Sequence, residues 1–168
     1  MRALRAGLVR LCDLWLRLPG AVRVVGPFAV MGVLWWTSSQ TPKPTAPNAF
    51  KAFLHNGAHI IAYAGLGGAW LMALLPGPGG GLPAATRRVC ITAVVFAVLY
   101  GGVDEVHQMY VPGRTSSLWD VASDASGAAI AVTLVLWAFR GGARLARRLG
   151  LLLVVALLCV LAATFLPG

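Results

Sequence analysis

Asp104, Glu105, His107, Gln108 and Arg114 fall within one stretch, DEVHQMYVPGR, and Asp120, Ser123 and Asp124 follow it in WDVASD. Upstream, His55, His59 and Tyr63 stand four residues apart. Carboxylates and histidines at helical spacing can serve as general acid and base. Where three or more converge, they can hold a divalent cation. An arginine beside them can grip a phosphate or carboxylate through two parallel N–H donors. The candidate catalytic groups are therefore His59, Asp104, Glu105, His107 and Asp124, and the candidate substrate-binding groups are Tyr63, Gln108, Arg114 and Asp120. No HExxH or comparable ligand motif is present, so the spacing leaves open whether a metal is bound.

These groups lie at the edges of apolar segments. With Asp104 at zero on a helical wheel, Gln108 falls at about 40°, His107 at about −60° and Glu105 at about 100°. Val103, Val106 and Met109 fall on the opposite side. Asp120, Ser123, Asp124 and Gly127 likewise share one face of the next segment, and His55, His59 and Tyr63 form a stripe on an earlier one. Between them, VPGR suits a tight turn: Pro112 fixes φ at the second position and Gly113 permits positive φ at the third. That turn aims Arg114 back over the cluster.

Hydrophobic residues make up 58% of the 168-residue chain and charged residues 11%, against roughly 25% in a soluble domain. A soluble helical bundle does not need that much apolar material. Five segments read as membrane spans of about 20 residues each: 21–37, 52–75, 89–110, 118–139 and 149–166. The first ends in the interfacial pair Trp35-Trp36. The fold expected is an all-α polytopic bundle, preceded over residues 1–20 by an amphipathic helix on the membrane surface. In that segment arginines alternate with Leu, Val and Trp, and no small-residue cleavage site follows, which favours retention over a cleaved signal peptide. Cys12, Cys90 and Cys159 show no metal spacing and read as packing residues.

The formal net charge of +9 would suggest nucleic acid in a soluble protein. Here the arginines flank apolar runs, so membrane topology explains them instead. With the N-terminus cytoplasmic and the C-terminus extracytoplasmic, only Lys43, Lys51 and Arg114 of the 14 Lys+Arg lie outside. The positive-inside rule selects that orientation. It puts the DEVHQMYVPGR stretch on the outer side. Asp104, Asp124 and His59 then lie roughly 9–12 Å below the outer surface, at about 1.5 Å per residue. The expectation is one hydrogen-bonded pocket of His59, Asp104, His107 and Asp124, with Arg114 as its lid. Opposite charges so placed make each other tolerable in an apolar medium.

Structural readings compete with this one. SLWD has the capping-box form, so Asp120 can be the N3 carboxylate of its span. Arg114 can be an interfacial anchor, His55 a wetted interfacial ring and Tyr63 a packing residue. His59, Asp104 and Asp124 can be interhelical polar glue.

Through HNGAHIIAYAGLG, YGGVDEVHQMYVPGR and WDVASDASGAA, the chain resembles the VanZ-like membrane proteins, named for a teicoplanin-resistance protein. The resemblance covers about residues 21–139, leaving 1–20 as the amphipathic segment and 140–168 as a basic loop and additional span. The family pattern falls on His59, Tyr63, Asp104, Glu105, His107, Gln108, Pro112, Gly113, Arg114, Asp120, Asp124 and Gly127. Two positions depart from it. Asn56 stands where members usually carry a lysine, and His55 where a charged residue often precedes that lysine. The resemblance implies a multi-pass protein of the bacterial inner membrane, associated in some members with lowered glycopeptide susceptibility. It supplies no established reaction.

Three functions fit the residues: an enzyme acting on an envelope lipid or lipid-linked glycan phosphate, a protein that binds or shields such a component, and a transporter. Transport is weakest, because the inner halves of the spans carry no charged path. The partners expected are membrane lipid and a lipid-linked envelope precursor, not nucleic acid. The fifth span has no ionisable residue from Leu149 onward and should stand clear of the site. The orientation can be tested with single cysteines in a background lacking the native three. Arg114→Cys should label from outside and Arg144→Cys only after permeabilisation; labelling of both from one side would reverse or break the topology.

Overall fold

The computed structural model describes residues 2–42, 48–77, 87–114 and 116–166. Lys43 and most of the Pro-Gly-rich 76–88 connection lie outside the described residues. Six helices follow one another: α1 (Arg2–Leu16), α2 (Gly20–Ser38), α3 (Ala49–Leu74), α4 (Arg87–Gln108), α5 (Leu118–Arg140) and α6 (Ala143–Phe165). Helices α2 to α6 are each long and apolar enough to cross a membrane. The protein is an all-helical, multi-pass membrane protein.

Among several boundaries that shift from the sequence expectation, two alter the ends of the bundle. Helix α4 stops at Gln108 rather than Tyr110. There the chain tightens into i→i−3 bonds, from Tyr110 N–H to His107 O (3.0 Å) and from Val111 N–H to Gln108 O (3.0 Å). Pro112 is the cause, since the residue before a proline is disfavoured in the α region. At the other end, α6 begins at Ala143, six residues before the expected span. Ala, Leu and Arg are strong helix formers, so Arg144, Arg147 and Arg148 join the helix. The expected basic loop shrinks to Gly141 and Gly142, whose φ angles of 68° and 98° favour glycine.

Helices α3 and α5 make the closest crossing. A Cβ on Gly127 would run into the backbone of Ile60, and one on Gly67 would come within 2.7 Å of Ala128 Cα. Lipid tails are as apolar as the side chains they border. Association therefore depends on packing, and small residues permit it. Tyr63, Leu66, Ala97, Tyr100 and Ala128 fill the centre of the bundle. A second cluster lies toward the end carrying most of the arginines. There Cys12 and Leu16 of α1 pack against Leu71, Met72 and Leu75, with Ala93, Val132 and Leu136. Helix α1 is thus seated on the bundle by one face, while Leu4, Leu11 and Leu14 stay exposed.

Three arginines bind carbonyls at helix C-termini. Arg23 Nη1 donates to Met72 O (3.1 Å) and Leu75 O (2.6 Å), closing α3. Arg5 Nε donates to Ala138 O (3.2 Å) near the end of α5, and its guanidinium lies 5.5 Å from the Trp137 ring centre. Arg114 does the same for α2 at the opposite end. Helix C-termini present unsatisfied carbonyls and partial negative charge, which cations offset.

Gly127→Ala should lower stability by about 1–3 kcal/mol, the usual range for overpacking. Gly65→Ala, with open space around the added methyl, should not. Unfolding in mixed micelles would measure both; equal tolerance of the two changes would contradict the close crossing.

Candidate functional site

The polar cluster sits at the end of the bundle where α2 and α4 finish and α3 and α5 begin. The HxxxHxxxY stripe of α3 forms a ladder of rings. His55 and His59 are 5.5 Å apart edge to face, and His59 and Tyr63 are 6.3 Å apart and nearly parallel, at 3°. His59 Nδ1 lies 3.1 Å from Asp124 Oδ1, a carboxylate oxygen that accepts the ring N–H. Asp124 is 1% exposed and His59 12%, so the carboxylate is sealed in the bundle while the ring reaches its edge. The α3–α5 crossing positions the pair, because Gly127 lies one turn from Asp124 and Ile60 directly follows His59.

The two helices do not begin at one height. Asp124 is six residues into α5, His59 ten residues into α3, and Asp104 four residues from the end of α4. Equal depth within each helix therefore does not explain the cluster; staggered packing does. Glycine at position 101 matters for the same reason, since a Cβ there would come 2.9 Å from Asp124 Oδ2.

A cavity of about 270 Å³ opens beside this pair. His55, His59, Asp104, Gln108 and Arg114 line it, with Leu34, Thr37 and Ser38 of α2 and Ala58 and Ala62 of α3. Asp104 is buried and accepts from Gln108 Nε2 at 3.0 Å. Arg114 bridges the mouth. Its Nη2 donates to Thr37 O (2.9 Å), its Nε to Gln40 O (3.3 Å), and its Nη1 faces His55 Nε2 at 3.3 Å. The VPGR turn forms as the sequence implies, with Arg114 N–H on Val111 O at 3.1 Å and Gly113 at φ 80°. The guanidinium therefore holds the end of α2 as well as covering the cavity, and only part of its donor set is left for a ligand.

His107 and Glu105 point elsewhere. The His107 ring stacks on Trp35 (3.9 Å, 22°), and its Nε2 meets Ser39 Oγ at 3.0 Å. The Ser39 hydroxyl donates to Trp35 O (2.6 Å), so it can only accept from His107, which fixes Nε2 as the protonated nitrogen. The expected pocket of His59, Asp104, His107 and Asp124 therefore loses His107 to α2. On the wheel His107 and Glu105 flank Asp104 about 160° apart, so they meet opposite neighbours. Glu105 Oε2 accepts the Ser117 N–H at 2.7 Å. Ser117 does cap α5, through its hydroxyl to Trp119 N–H (3.1 Å). The reciprocal half of the capping box, expected from Asp120, is supplied instead by Glu105 from α4.

Tyr63 is fully buried beneath the cavity rather than lining it, and Asp120 is half-buried outside it. Five buried oxygens here have no hydrogen-bond partner among the described residues: Tyr63 Oη, Asp104 Oδ1, Glu105 Oε1, Asp120 Oδ1 and Asp124 Oδ2. Unpartnered buried polar atoms are uncommon and tend to mark strain or function. No group of three His, Cys, Asp or Glu side chains among the described residues is arranged to hold a metal ion. Sequence reasoning missed Trp35, Thr37 and Ser38 of α2 and Ser39 just past its end. The only available signal was a polar TSSQ run closing an apolar span.

A family model described as VanZ/LLP1 matches residues 23–140. The chain belongs to this family. The VanZ/LLP1 match starts at the arginine that closes α3 and ends at the last residue of α5, so it includes every residue of the cavity wall. No curated protein and no solved structure matches the chain.

Glu105→Ala should release the start of α5. Loss of a hydrogen bond to a charged group costs about 1.5–3 kcal/mol. Hydrogen exchange should rise at residues 117–121 while the middle of α5 stays protected. Unchanged exchange there would mean that Glu105 does not anchor the cap.

Proposed function

We propose that the cavity at this end receives the polar head of an extracytoplasmic envelope lipid or lipid-linked glycan, and that His59 handles a proton on it. The observation that carries this reading is His59 on the cavity wall with its Nδ1 held by the buried Asp124 behind it. A carboxylate bound to Nδ1 orients the imidazole and sets its tautomer, which leaves Nε2 to accept or donate. Nε2 can take the proton of a water or hydroxyl attacking a headgroup phosphate and pass it to the departing oxygen, so the ring ends unchanged. Asp104, Gln108 and the remaining donors of Arg114 would orient the head. The extracytoplasmic placement follows the charge asymmetry of the loops.

Binding without chemistry is the second reading, and Arg114 favours it: a guanidinium partly committed to backbone carbonyls is a fixed wall more than a mobile phosphate clamp. Either way, an envelope-precursor ligand would link the protein to glycopeptide susceptibility.

The test is full-length protein purified in detergent, with co-purifying lipid and bound metal identified by mass spectrometry and lipid phosphate turnover followed. His59→Gln should lower turnover at least about a hundredfold, the lower range for loss of a general acid–base group. Asp124→Asn should do so while lipid retention persists. Lipid retained by the wild type with no turnover selects binding. Neither retention nor turnover, together with unchanged susceptibility of cells carrying His59→Gln, would leave the pair as structural glue.

A further inference from the structure

A second cavity, of about 460 Å³, lies between α4, α5 and α6 at the arginine-rich end. It shares no lining residue with the His59 cavity. Arg87, Arg140 and Arg148 line it, one from each of the three helices, and all three are exposed. Below them the walls are apolar, including Val94, Val132 and Leu136. Ile91 and Val95 also line it and are 49% and 43% exposed, so the cavity opens through the side of the bundle.

The charge here is one-sided. Of the five acids in the chain, four belong to the opposite end, and the fifth, Asp13, sits on α1. No acid lines this cavity. Three guanidinium groups above a greasy slot that opens sideways complement a molecule with an anionic head and a hydrocarbon tail. A soluble anion would make no use of the apolar walls. A neutral lipid would bring no negative charge to complement the guanidinium groups. Basic pockets between membrane helices are known to take anionic headgroups for these reasons.

We infer that this slot holds an anionic phospholipid. Its phosphate sits among Arg87, Arg140 and Arg148, and an acyl chain runs past Val94, Val132 and Leu136. The unexpectedly long α6 is what makes the site. Had the helix begun at Leu149, Arg148 would belong to a loop instead of facing Arg87 across the slot. The inference is independent of the chemistry at the opposite end of the bundle.

The experiment titrates the full chain in detergent with dioleoylphosphatidylglycerol or dioleoylphosphatidylcholine and counts bound lipid by native mass spectrometry. The anionic lipid should bind at least tenfold more tightly than the zwitterionic one. Each arginine near the headgroup contributes about fivefold. The double variant Arg87→Gln/Arg148→Gln should therefore weaken phosphatidylglycerol by about 25-fold. Arg144→Gln/Arg147→Gln removes the same charge from the same end, outside the cavity, and should change affinity less than threefold. Equal affinity for the two lipids would overturn the inference, as would equal weakening by the two double variants. Full displacement of the lipid by millimolar inorganic phosphate would also overturn it, in favour of a site for free anions. All four arginines are exposed, so loss of folding does not obscure the comparison.

Discussion

The close crossing of α3 on α5 governs the rest of the structure. In a membrane no hydrophobic force separates helix from lipid, so two helices approach only where side chains are small enough to let backbones meet. Gly127 against Ile60 and Gly67 against Ala128 are those points. They meet α5 at consecutive residues and fix both the distance and the stagger of the pair. The hydrogen bond from His59 to Asp124 is a consequence. A carboxylate 1% exposed in an apolar surround needs a partner, and the crossing delivers one at 3.1 Å.

Charge is distributed by the same economy. Arginine serves two purposes in this protein. The asymmetry of Lys and Arg between the ends is what the positive-inside expectation rests on, and Arg5, Arg23 and Arg114 also bind the open carbonyls of α5, α3 and α2. Arg23 is itself buried, which is tolerable because two carbonyls meet one of its nitrogens. The acids do comparable work at the opposite end. Glu105 takes the first N–H of the α5 cap, so the α4–α5 connection is held by a side chain as well as by the turn. A single short sequence, DEVHQMYVPGR, thereby ties α4 to α5 through Glu105, to α2 through His107 and Arg114, and faces the cavity with Asp104 and Gln108.

Stability and the proposed function draw on the same residues here. Arg114 and Gln108 are held by protein partners and still border the cavity, and Asp124 anchors two helices while setting the tautomer of His59. Substitution at these positions would mix loss of fold with loss of the proposed ligand. His59 is the cleaner probe, since it lies at the cavity edge with Nδ1 bonded and its other nitrogen without a partner among the described residues.

Periodicity and composition determined the helical class, the five long apolar segments and the faces of α4. Val103, Val106 and Met109 are exposed and Asp104, Glu105 and Gln108 buried, as the wheel requires. Local chemistry likewise fixed the VPGR turn and the Ser117 cap, because proline, glycine and serine act on their own backbone. Partners across helices were beyond its reach. A wheel gives the direction of His107 but not the helix that lies there, and Trp35 of α2 and its C-cap Ser39 became its neighbours only through packing. The same holds for Asp120, whose place in the cap was taken by Glu105 from another helix. The stagger of α3 against α5, and with it the meeting of His59 and Asp124, was decided by which glycines could touch which backbone. That is a property of two surfaces together, and neither segment carries it alone.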